Sequence, residues 1–353
     1  FCTELNNIQK EEEKLIERKL LLKKVIEIIL ILTINMLILT SCDGRNDGAD
    51  AKKYTVCCTI FPGYDWASAC LGDTDDVELV YLLEDGEDMH SYQPSVTDIA
   101  KITEADMFIY VGGPSDEWVV ELLDSSGNQN QIRVCMMDVL SEALKEEEIV
   151  EGMTSKEDGH SREVEAGDAD ESDEEIEYDE HVWLSFDNAE LIVKAIGVAF
   201  GEMDEKHADK YMANADEYSM KLRAMKDSYE SKLQSRTYDT IIVADRFPFR
   251  YMVDEFDIKY YAAFPGCSAE SESSFETIVF LIEKSEELGI HNIYIIENAD
   301  AKLANTICEN STGDIEVLEL DSMQSVTAED ISDGASYINY MTENMEALLR
   351  GLL

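Results

Sequence analysis

Basic residues are scarce in this sequence, and the shortage removes a class of function. Lys and Arg number 28 against 77 Asp and Glu, leaving a formal charge of −49. A surface so negative repels phosphate backbones and anionic membranes, so nucleic acid is not an expected partner. Eight cysteines are too few for a disulfide scaffold over 353 residues. None falls in a CxxC pair or a Cys/His cluster with structural-zinc spacing. The HExxH helix motif and the GxSxG nucleophile elbow are both missing, and no enzymatic activity is expected. What is plentiful is apolar: 45% of residues are hydrophobic, enough for about two or three domains with real cores.

The N-terminal segment sets the compartment. Lys23 and Lys24 precede an apolar run from Ile28 to Leu39 that ends at Leu39-Thr40-Ser41-Cys42. About a dozen residues is short for a membrane span and typical of a signal peptide. The tetrad resembles a bacterial lipobox, which makes Cys42 the expected lipidated residue. The expected layout is then an upstream extension at 1–22, a lipoprotein signal peptide at 23–42 and a polar tether at 43–53.

From Tyr54 the sequence alternates strand and helix patterns. Strand-like runs fall at Tyr54–Phe61, Val77–Leu83, Met107–Val111 and Ile132–Met136, with helical spacing at Asp65–Leu71, Val96–Glu104 and Ser115–Leu123. This alternation predicts an N-terminal α/β lobe over 54–144 with a mostly parallel sheet flanked by helices. Residues 145–180 hold 17 acidic and 3 basic residues with almost no large apolar ones, the composition of a mobile acidic loop. Two helical segments follow, Asp187–Gly201 with Asp187 as a plausible N-cap, and roughly Lys206–Gln234. The second would be about 43 Å long, enough to bridge lobes, so 181–234 closes the first lobe and links it to the next. Alternation resumes over 235–353, giving a C-terminal α/β lobe with strands at Thr240–Ala244, Lys259–Ala263, Asn292–Ile296 and Glu316–Leu320.

Two of the five histidines stand apart. His90 lies in Asp88-Met89-His90-Ser91-Tyr92-Gln93-Pro94-Ser95, just after a strand pattern, and His181 lies in Glu180-His181-Val182-Trp183-Leu184-Ser185. Open α/β sheets bind ligands in loops at strand C-termini. His160, His207 and His291 read as surface or hydrogen-bonded residues.

At these motifs the sequence resembles the metal-binding lipoproteins that deliver zinc or manganese to bacterial ABC importers, as in high-affinity zinc uptake. The likeness covers about residues 54–352. It rests on His90–Ser95 and on His181–Ser185, supported by Phe61-Pro62, Ala105-Asp106, Glu117-Trp118 and Glu297-Asn298-Ala299. It implies two α/β lobes bridged by a long helix, with a divalent metal held in the cleft and little closure on binding. His90 and His181 match two N-lobe ligands, and Glu297 matches a C-lobe carboxylate ligand. One departure stands out. Where zinc members carry a His-x-Ala-Phe-x-Tyr run, this chain has Arg246-Phe247-Pro248-Phe249-Arg250-Tyr251, and arginine has no lone pair for a cation.

The third ligand is therefore either missing or supplied from elsewhere, first by Asp245, then by the loop Cys267–Glu272 or by Asp300, with an ion pair to Arg246 or Arg250 as the alternative role for Asp245. A site of two histidines and two carboxylates would resemble manganese-type members more than three-histidine zinc members, which weakens the choice of Zn2+ over Mn2+. Cys267 and Cys308 could form a disulfide in an extracytoplasmic protein, while Cys57, Cys58 and Cys135 read as buried strand residues. The likeness implies Zn2+ as cargo, with Mn2+ or iron as alternatives, and an ABC permease as partner. It also implies a monomer held at the outer face of the membrane only by its lipid anchor, with an adhesin-type surface role as a further alternative.

Overall fold

The computed structural model describes residues 54–125, 127–153, 177–267 and 273–353. The expected upstream extension, signal peptide and tether, with Cys42, and His160, Glu270 and Glu272 lie outside them. Among the described residues no helix is long and apolar enough to cross a membrane.

Two four-stranded sheets organise the chain. The first contains β1 (Tyr54–Cys58), β2 (Val77–Tyr81), β3 (Met107–Tyr110) and β4 (Ile132–Cys135), in the order β2-β1-β3-β4 with every pair parallel. The second contains β5 (Thr240–Phe247), β6 (Lys259–Pro265), β7 (Asn292–Ile296) and β8 (Glu316–Leu320), in the order β6-β5-β7-β8, again all parallel. The lobes thus share one strand order, a likeness stronger than the common alternation visible in sequence. In each, the direction of chain progression reverses beside the first strand, where doubly wound sheets open a crevice at their strand C-termini.

The central strands β5 and β7 are apolar because both their faces are covered. In β5, Ile241 and Val243 pack into the large core while Ile242 and Ala244 pack into a second cluster. In β7, Tyr294 and Ile296 join the first while Ile293 and Ile295 join the second. This is the two-residue period of a strand.

In the first lobe the helices are α1 (Phe61–Leu71), α2 (Val96–Glu104), α3 (Glu117–Ser125) and the short α4 (Met136–Val139). Phe61 and Pro62 open α1 rather than ending β1: Pro is favourable in a first turn, where its missing N–H has no helical partner. α5 (Phe186–Met203) starts at Ser185, whose hydroxyl accepts the Asn188 N–H, so Ser185 and not Asp187 is the cap. The long α6 (Ala208–Leu233) has 26 residues, about 39 Å, because its expected first turn is a 3-10 turn at Glu205–His207. It packs on α1 and α5 and also on the C-terminal helix α11 (Tyr337–Leu352). The second lobe's remaining helices are α7 (Arg250–Glu255), α8 (Phe275–Leu288), α9 (Lys302–Asn310) and α10 (Ala328–Ser332).

The ends of the acidic stretch are built into the fold. Glu146 pairs with Tyr178 in an antiparallel bridge, Glu147 N donates to Glu177 O at 2.9 Å, and Asp179 N to Lys145 O at 2.9 Å. Asp179 and Glu180 are buried, so the expectation of a mobile loop over all of 145–180 fails at both ends.

Candidate metal centre

His90 lies in the segment after β2 and His181 just before the turn Val182–Leu184, and the two rings meet with their Nε2 atoms 3.2 Å apart. Each is preceded two positions earlier by an aspartate that fixes its backbone: Asp88 Oδ1 accepts His90 N at 2.9 Å, and Asp179 Oδ1 accepts His181 N at 2.8 Å.

The side-chain partners then decide which ring nitrogens are free. Asp179 Oδ1 lies 2.8 Å from His181 Nδ1, and Glu180 Oε1 lies 3.1 Å from His90 Nδ1. A carboxylate only accepts, so both Nδ1 atoms carry the proton. Both Nε2 lone pairs are thereby turned inward, and these atoms face each other at 3.2 Å. Two nitrogens on one tetrahedral zinc would sit about 3.3 Å apart. Carboxylate–imidazole pairs of this kind set the tautomer and orient metal-ligating histidines.

Glu180 is the hub of the support. Its Oε2 accepts Ser115 N at 3.0 Å, its Oε1 accepts the Ser115 hydroxyl at 2.6 Å, and that hydroxyl is 2.8 Å from His90 Nδ1. Burial opposes its charge, yet the hydrogen bonds from His90 and Ser115 and the nearby imidazoles hold it down at about 2. Gly113 makes the approach feasible, since a Cβ there would lie 2.4 Å from Glu180 Oε2. Burial pulls His181 down as well, but Asp179 and Glu180 outweigh it and its pKa is raised.

The three expected carboxylates have hydrogen-bond partners of their own. Glu297 Oε2 accepts Ser322 N at 2.9 Å and its Oε1 accepts the Ser322 hydroxyl. Burial pushes its carboxyl up, partly offset by Ser322. Asp245 Oδ1 accepts Arg246 N at 2.8 Å, beside a bulge in β5 between Val243 and Arg246. Asp300 is bonded to Lys302, which lowers its pKa. Glu297, Asp245 and Asp300 line a cavity of about 730 Å³ together with Asp85, Asp88 and Arg246.

Arg246 occupies the position that departs from the motif, and it ties the lobes together: Nη2 donates to Asp88 Oδ2 at 2.8 Å. Asp88 therefore holds His90 with one oxygen and Arg246 with the other. Burial works against its charge, but Arg246 keeps its pKa below the ordinary range.

Cys267 and Cys308 are both free, so the expected disulfide is absent. Cys308, on α9, points to Ile315 O at 4.0 Å, whereas Cys267 Sγ lies 3.5 Å from Glu180 Oε1. Burial, then Glu180 and Glu147, push the Cys267 thiol well above its ordinary pKa. The backbone at Gly266 brings this residue in close, where a Cβ would meet Phe247 O at 2.9 Å and His181 Cε1 at 3.2 Å. Among the described residues, His90, His181 and Cys267 form the group whose possible ligand atoms converge, all within 4.8 Å of one another. Cys57, Cys58 and Cys135 are buried strand residues, as read from sequence.

A family model for the periplasmic component A of the zinc-uptake complex matches residues 56–351. The chain belongs to this family. It is 30% identical over 320 residues to the zinc-binding lipoprotein AdcA of Streptococcus pneumoniae, covering 91% of this chain and 60% of that protein. The chain therefore spans little more than half the length of that relative. The high-affinity zinc uptake system protein ZnuA of Bacillus subtilis is 26% identical, covering 90% of this chain and 94% of its own. The solved Zn(II)-bound ZnuA-like domain of S. pneumoniae AdcA superposes with a TM-score of 0.65 at 25% identity, covering 85% of this chain and 99% of that one. As a family, these are solute-binding components of transporters.

Proposed function

We propose that this protein captures Zn2+ outside the cell membrane and presents it to the permease of an ABC importer. The observation that carries the reading is the pair of inward Nε2 lone pairs 3.2 Å apart, each imidazole backed by a carboxylate. Two lone pairs at that distance repel unless a proton or a cation lies between them. Neutral imidazole suits zinc and similar borderline metals better than manganese. The zinc-binding relatives support the same cargo.

Binding and release, rather than chemistry, is the work of such a cleft. The residues at hand hold a cation and fix its donors. A monomer tethered through a lipid on Cys42 completes the reading.

Protons should compete with the metal. The His181 pKa is raised above its ordinary value, near 6.5 for an unperturbed imidazole. Below the raised value His181 is protonated and bonded to Asp179, and the metal must displace that proton. Zinc affinity is expected to lose about a further tenfold per unit once pH drops through the raised value, so this added loss begins above about pH 6.5. Calorimetric zinc titrations from pH 8 to pH 5 check this, and an affinity that stays flat would rule out histidine ligation.

A further inference from the structure

We propose that Cys267 supplies the third metal ligand, making the centre two imidazoles and a thiolate. This deepens the zinc-capture reading and rests on it. Arg246 cannot coordinate, and it is committed to Asp88. Glu297 accepts from Ser322 and Asp300 is bonded to Lys302 on the surface, and among the described residues neither belongs to the group whose possible ligand atoms converge. Cys267 is the group from the second lobe that converges with His90 and His181, within 4.8 Å.

The distances fit a site that tightens on loading. Sulfur and nitrogen on one tetrahedral zinc sit about 3.6 Å apart, so Sγ needs to move inward by no more than about an ångström. The loop that carries it follows β6 and is held close by the bond from Cys267 N to Glu147 Oε1 at 3.2 Å. On binding, the S–H bond breaks, its electron pair goes to the metal and the proton leaves to solvent; no redox change is involved. A coordinating thiol is deprotonated outright by the metal's charge, which reverses the repulsion that Glu180 exerts on a bare thiolate.

Thiolate is a soft donor, and with two imidazoles it selects zinc and cadmium over manganese. The substitution at position 246 is then compensated within the same lobe, and the exchange of imidazole for thiolate shifts preference away from the harder metal.

The test is spectroscopic and uses the whole chain loaded with Co2+. Wild type is expected to show an intense thiolate-to-cobalt charge-transfer band in the near ultraviolet, lost in Cys267→Ser. Zinc should protect Cys267 from alkylation, read on its own peptide by mass spectrometry. Cys267→Ser should weaken zinc at least tenfold and shrink the zinc-over-manganese preference, while Cys267→His should restore zinc binding without the band. A wild-type cobalt complex lacking the band, with zinc bound as tightly by Cys267→Ser as by wild type, overturns this assignment and leaves zinc capture standing. A wild-type chain that binds no zinc overturns zinc capture and this assignment together.

Discussion

His181→Ala is expected to reduce zinc affinity a hundredfold or more. Zinc sites of four donors bind with apparent free energies of about 10–16 kcal/mol, so one donor carries roughly 3 kcal/mol. His181 is fully buried, with its free Nε2 aimed at His90, and no other imidazole among the described residues converges there. Asp179→Asn separates ligation from orientation. The amide oxygen still accepts from His181 Nδ1, but the charge that strengthens the imidazole is gone, and a loss of about ten- to a hundredfold is expected. Calorimetry on both variants, with thermal unfolding of the metal-free forms as a control, gives the ranking. Zinc bound equally well by His181→Ala and wild type would remove the pair from the site.

Trp183→Ala should be the most damaging core substitution near the cleft. Its side chain is fully buried, and its Nε1 donates to Ser322 O at 2.8 Å, on the turn after β8. Its own carbonyl accepts from Tyr337 OH at 2.7 Å, at the start of α11. One residue next to the metal ligands thereby fastens two segments of the second lobe. Truncation is expected to cost about 3–5 kcal/mol from the cavity alone, and it leaves the Ser322 carbonyl unpaired, a further loss of about 1–3 kcal/mol. Trp183→Phe keeps most of the volume and should cost clearly less. Urea unfolding of the three proteins measures this, and a Trp183→Ala midpoint within error of wild type would contradict the packing described here.

Most of the fold was legible because its central strands are largely buried and its strands and helices alternate as short runs. The ranges for β7 and β8 and for α2 agree with the sequence reading to the residue. Errors gather where local chemistry is ambiguous. Phe61 continues the apolar run of β1 yet begins α1, because Pro62 favours a first turn. Ser185 and Asp187 are both capping residues, and only the hydrogen bond to Asn188 N separates them. β5 runs on to Phe247 through a bulge that no periodicity announces. The five-residue α10 is too short to show a period.

The site divides in the same way. His90 and His181 stood out by their neighbours in sequence, whereas Asp179 and Glu180 were lost in an acidic run that reads as solvated. A signal was there: Asp88-Met89-His90 and Asp179-Glu180-His181 share an aspartate two residues before each histidine, and both aspartates accept that histidine's N–H. Cys267 was one of several loop candidates, and only tertiary structure separates it from the carboxylates, which turn to Ser322, Arg246 and Lys302. The Arg246–Asp88 pair joins residues 158 positions apart, a distance over which sequence patterns carry no information.

The central claim is that one zinc ion sits between His90 and His181. Titration of the metal-free chain with zinc in the presence of excess manganese tests it most directly, in wild type and in His90→Ala. The account predicts a single tight equivalent of zinc that manganese does not displace and that His90→Ala loses. No tight equivalent in wild type, or one that survives in His90→Ala, would contradict it.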